Sequence, residues 1–118
     1  MNRDRIEEFE DILAWKKAHL LCVEIYSEFN ACRHYSFKDQ IQRAAVSVMN
    51  NIAEGYERKG NKEFSKFLYI AKGSCGEVRS MLYLALDLGY VNPEICKKIS
   101  EEASEISRML SGFIKSLQ

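Results

Sequence analysis

The sequence predicts an all-α protein, an antiparallel up-down-up-down four-helix bundle, on three observations. Apolar residues recur at three- and four-residue spacing in four successive stretches, the breaks between them are short and rich in cap and turn residues, and no stretch alternates apolar and polar residues for long enough to make a strand. Loops this short cannot carry crossover connections, so helices consecutive in sequence should be neighbours in space. At 118 residues, 47% hydrophobic and 29% charged, the chain reads as one domain over 1–118. A chain of that length buries about two-thirds of its unfolded surface and needs neither disulfide nor metal to fold.

The first helix is predicted over Leu13 to Phe29, with Ala18, Leu21, Cys22, Ile25 and Phe29 on one side and Trp15 near its start. Ser36 is a candidate N-cap, with Asp39 three residues on as a shorter-chain variant of the capping box. It would open a second helix over about 37–58, whose core line is Phe37, Ile41, Ala44, Val48 and Ile52. At the next break Gly60 tolerates positive φ and Asn61 can cap a third helix over about 62–88, built on Phe64, Phe67, Leu68, Ala71, Cys75, Val78, Leu82 and Ala85. Gly89 suits the left-handed residue that ends it. Asn92, Pro93 and Glu94 then supply a cap, a preset first helical residue and an acid at the positive dipole end for a fourth helix over about 93–116.

The third helix also carries Tyr69, Ile70, Met81, Tyr83, Leu84 and Leu88, and the first adds Leu20, Val23 and Tyr26. A bundle helix needs one apolar stripe, so this surplus calls for a second covered face. Its expected occupant is another copy of the chain; coverage by the charged N-terminal arm is the alternative.

Seventeen basic residues balance seventeen acidic ones, so any nucleic-acid contact must come from a local patch or from repetition in an oligomer. The first ten residues carry charges where a signal peptide is apolar, and there is no run of 18 apolar residues, so a cytoplasmic, non-membrane protein is expected. Cys22, Cys32, Cys75 and Cys96 are far apart with no C-x-x-C pair, which reads as free thiols and not as zinc ligands. Ser47 has no histidine at helical reach, and neither His19 nor His34 belongs to a triad or metal motif. No catalytic residue, metal or cofactor is therefore expected, and the chain reads as non-enzymatic.

Two places could bind. Beside the apolar line of the second helix runs a polar one, Gln40, Arg43, Ser47, Asn51 and Glu54. Reflected about the turn near residue 60, Arg43 comes level with Glu77 of the third helix, and Ser47 with Lys72 and Gly73. The expectation is a partly buried Arg43–Glu77 pair supported by Gln40, Ser47 and Asn51. It would fix helix register or a subunit contact, with a ligand or nucleic-acid site in the same place as the alternative. The second place is one end of the bundle, where Arg58, Lys59, Lys62 and Lys66 gather beside Tyr56 and Tyr69, a mixture suited to phosphate and base contacts, though Glu57 and Glu63 dilute it.

These residues also carry a resemblance. The stretch from Phe9 to Ala18, the segment Gln40 to Val48 followed by Asn51 to Gly55, Phe64 to Ala71, Gly73-Ser74 with Glu77, and Arg108 to Leu110 with Gly112 are together similar to the 23S rRNA intervening-sequence protein family. The resemblance implies a four-helix bundle that assembles into rings, commonly pentamers. It also implies kinship with accessory proteins of diversity-generating retroelements, which bind nucleic acid and a reverse transcriptase. It implies no assigned activity. The family usually has proline where this chain has Met49, and another in the loop near Asn30 and Ala31; losing the helical proline should remove a kink. The expected function is a homo-oligomeric, ring-forming scaffold that contacts structured RNA or DNA through Arg58, Lys59, Lys62 and Lys66. The alternative is a protein–protein adaptor without nucleic-acid affinity.

Overall fold

Backbone hydrogen bonding closes four helices along the chain: α1 Leu13–Phe29, α2 Tyr35–Glu57, α3 Asn61–Asp87 and α4 Pro93–Ser116, with a 3₁₀ turn, Phe9–Asp11, leading into α1. The computed structural model describes residues 6–118, so the first five residues of the charged arm lie outside it. α1 packs on α2 and α4, α3 packs on the same two helices, and the diagonal pairs do not meet, which is the closed square of an up-and-down bundle. Its extents are 44 × 21 × 19 Å. Among the described residues no helix is long and apolar enough to cross a membrane.

Helix ends follow local chemistry with two corrections. Asn92 caps α4 as expected, its Oδ1 accepting from the Ile95 amide at 2.8 Å, and Gly60 and Gly89 take the positive φ values of 81° and 76° that glycine adopts at no steric cost. Ser36 does not cap α2. The helix starts at Tyr35 and His34 occupies the cap position, its carbonyl accepting from Lys38. Asn61 is likewise the first residue of α3, and the Gly60 carbonyl accepts from Phe64. In both cases the cap residue's carbonyl accepts the first intrahelical bond, and no cap side chain accepts from the first-turn amides.

The core lines expected for the first three helices are buried apart from Phe67, and along α4 Ile99, Ala103, Ile106, Leu110 and Phe113 are buried; Phe67, Ile95 and Leu117 are half-buried at the edge. α2 is continuous across Met49. Met81 does not belong to the outward surplus: it is 8% exposed and joins the core. The rest of the surplus is exposed, with Leu20 at 65%, Val23 at 56%, Tyr69 at 57% and Ile70 at 52%. All four cysteines are free thiols. Burial pushes Cys22 up to about 11 and Cys75 up to about 12, which keeps both protonated and unreactive at neutral pH.

Candidate functional site

The polar seam between α2 and α3 exists, but with different members. Ser47 Oγ meets Ser74 Oγ at 2.8 Å, and Asn51 Nδ2 donates to the Ser47 carbonyl at 2.8 Å and to its Oγ at 2.9 Å. Arg43 and Glu77 take no part in it. The Arg43 guanidinium pairs with Asp39 on its own helix at 2.9 Å, with its side chain four-fifths exposed, and Glu77 is also exposed. Glu54 pairs with Arg58, and Gln40 faces solvent.

The physical reason is the slant of the stripe. At about 100° per residue, Asn51 lies about a sixth of a turn from the Phe37–Ile52 core line, whereas Arg43 and Glu54 lie a third of a turn or more away, beyond the reach of α3. The buried partner was legible only as part of a small-residue cluster, Gly73 to Gly76, in which Ser74 supplies the hydroxyl. An exposed i, i+4 pair contributes little. Arg43→Ala is therefore expected to change stability by no more than about 0.5 kcal/mol, or about 2 °C in melting temperature, read by circular dichroism. A drop of several degrees would show that Arg43 makes a contact beyond Asp39.

At the basic end, Arg58 donates to Glu54 at 2.9 Å and its guanidinium lies 5.1 Å from the Phe67 ring centre. Lys66 pairs with Glu63 at 3.4 Å, and Lys59 and Lys62 are exposed. Tyr69 is exposed beside them, while the Tyr56 hydroxyl donates to the Ile6 carbonyl and so ties the segment before α1 to this end.

A third cluster was not read from the sequence because its members come from α1 and α4, far apart in the chain. Lys98 bridges Glu24 on α1 and Glu102 on α4, and Lys17 pairs with Glu105 at 3.0 Å across the same groove. The groove holds about 540 Å³ over a floor that includes Leu21 and Ile106. Burial, and then the hydrogen bond and negative charge of Glu24, push the Glu102 carboxyl up to about 7. Burial acts against the Glu24 charge too, but hydrogen bonds from Glu102 and Lys98 outweigh it and hold that carboxyl below its ordinary value.

The sign follows from linkage. Between the ordinary carboxylate range and about pH 7 the folded chain keeps a proton on Glu102 that the unfolded chain has lost, so this group's contribution falls as pH rises through that window. The lowered Glu24 value acts oppositely, and its contribution is lost only as pH falls through its folded value. Glu102→Gln, which can still donate to Glu24, is expected to flatten the melting profile between pH 5 and 7. It should raise stability at pH 8 by at most about 1 kcal/mol, because a side chain 38% exposed is screened by solvent. An unchanged profile would mean that the two carboxyls do not share a proton.

Among the described residues no group of three or more His, Cys, Asp or Glu side chains could hold a metal ion. The model of the 23S rRNA-intervening sequence protein family matches residues 10–112, which spans all of α1, α2 and α3 and most of α4. The chain belongs to that family. Its fold is similar to the 1.70 Å crystal structure of a protein with unknown function from the S23 ribosomal protein family of Bacteroides thetaiotaomicron, with a TM-score of 0.82 at 25% identity. That likeness covers 87% of this chain and 99% of the other. No curated protein matches it significantly. The family match thus agrees with the resemblance carried by the segments around Arg43 to Glu54 and by Phe64 to Ala71.

Proposed function

We propose that this family member is a homo-oligomeric, ring-forming scaffold whose repeated basic end contacts the phosphate backbone of structured RNA or DNA. The observation that carries the reading is the pair of exposed apolar faces, Leu13, Leu20, Val23 and Tyr26 on α1 and Tyr69, Ile70, Tyr83, Leu84 and Leu88 on α3. Isolated surface leucines need no explanation, but two helices each exposing a row of them do. The charge at the end is modest in one copy, since Glu54 and Glu63 engage Arg58 and Lys66. Repetition around a ring multiplies the exposed Lys59 and Lys62, and that is what makes assembly and phosphate binding one proposal.

Light scattering at tens of micromolar tests the first half, and a monomer there contradicts it. For the second half, labelled structured RNA and duplex DNA are titrated at 50 and 200 mM salt. Neutralising even two phosphates predicts about a tenfold loss of affinity over that range, and replacing Lys59 and Lys62 with glutamate should weaken binding and flatten the salt slope. The neutralising pairs at this end favour the second reading, an adaptor for a protein partner, and an assembled protein that binds neither nucleic acid at low salt would decide for it.

A further inference from the structure

We infer that copies of this chain meet head to tail, the outer face of α1 on one copy seated on the outer face of α3 on the next. This rests on the oligomeric reading above and adds the contact itself. α1 and α3 occupy opposite corners of the square and do not touch each other, so one copy can offer both faces at once. A contact between unlike faces is heterologous, and repeated by a pure rotation that divides the full turn it makes the ring of the reading above.

A closed ring has no rise along its axis, so residues at equal height on the two faces must meet. Salt bridges set the heights: Glu24 is level with Lys98, and the Cys96 thiol donates to the Leu82 carbonyl, which sets Lys98 level with Ser80. One turn lower, Leu20 on α1 is therefore level with Gly76 on α3. The match is complementary in shape, because Leu20 is the most exposed apolar residue of the α1 face and Gly76, with Gly73 a turn below, leaves a depression on α3. Within one copy nothing explains these glycines: a Cβ built at either would meet no atom within 4 Å, although each weakens the helix interior relative to alanine.

The match is also complementary in charge. Lys16 and Glu77 are exposed and form no ion pair among the described residues, and they stand little more than a turn apart in height on the two facing surfaces. A contact of α1 with α1, or α3 with α3, would set leucine on leucine or glycine on glycine with no such pairing.

The test uses Leu20→Arg, which blocks the α1 face, and Gly76→Arg, which blocks the α3 face, on the full chain. Both sites are exposed and arginine is a good helix former, so each variant should fold; Gly76→Arg should melt about 4 °C higher than the parent in dilute, dissociated samples. Each variant alone is expected to be monomeric by light scattering, and an equimolar mixture at about 100 µM should give a heterodimer and nothing larger. Single variants that form homodimers, a mixture that stays monomeric, or variants that still assemble fully would each overturn the contact. A monomeric parent would instead overturn the oligomeric reading on which it rests.

Discussion

Gly55→Ala is expected to lower the stability of the subunit by about 2 kcal/mol, and its melting temperature by about 8 °C, although alanine is the better helix former. Local propensity alone predicts a gain of about 1 kcal/mol for such a change in a helix interior. Tertiary packing reverses the sign. A Cβ at position 55 would stand 2.6 Å from Phe67 Cβ, 3.0 Å from Phe64 Cδ1 and 3.4 Å from the Phe64 carbonyl oxygen. The first of these atoms is fixed to the α3 backbone, so no rotamer change relieves it and α2 must move away from α3. The opposite result is expected at Gly76, where a built Cβ meets nothing and Gly76→Ala should stabilise the isolated subunit. Thermal melts of the two variants at one protein concentration check the contrast. A Gly55→Ala protein that melts at or above the parent would show that the two helices have slack at that crossing.

Where the sequence could be read, periodicity and capping were local: Asn92, Gly60, Gly89 and the apolar lines of all four helices stand where their own chemistry puts them. Apart from the Ser36 and Asn61 caps, failures came from quantities that accumulate between elements. The Arg43–Glu77 pairing required a helix azimuth correct to within about 40°, and the slant of the polar line carried Arg43 past that tolerance to Asp39. Ser47, nearer the contact line, did meet Ser74 of α3, and Asn51 supports it by donating to the Ser47 hydroxyl on the same helix. The Glu24–Lys98–Glu102 cluster had no sequence signal because nothing short of the bundle brings α1 beside α4. The glycines divide in the same way. Sequence marks Gly55, Gly73 and Gly76 alike as costly in a helix, and only the packed structure separates the one that α3 fills from the two that face outward.

Phe64→Ala is expected to cost about 3–5 kcal/mol, the range for deleting a fully buried aromatic side chain. Phe64 is 0% exposed and lies edge-on to Tyr56 of α2, ring centres 5.9 Å apart, and to Phe113 of α4 at 5.2 Å. One ring therefore joins three helices at the end that also carries Arg58, Lys59, Lys62 and Lys66. Small domains have only about 5–15 kcal/mol of stability in total, so the loss is a large fraction of it. Urea unfolding should show a lower midpoint with an unchanged slope, because the surface exposed on unfolding hardly alters. Phe64→Leu, which refills much of the cavity, should recover a good part of the loss. The two substitutions should also interact: the Phe64 ring occupies part of the space that Gly55 leaves open, so in the double variant Gly55→Ala should cost less than it does alone. Relief should be partial, because the 2.6 Å approach to Phe67 Cβ persists after the Phe64 ring is gone. Strict additivity would mean that the ring does not fill the Gly55 notch, and complete relief would mean that Phe64, not the α3 backbone at Phe67, sets the distance between the two helices.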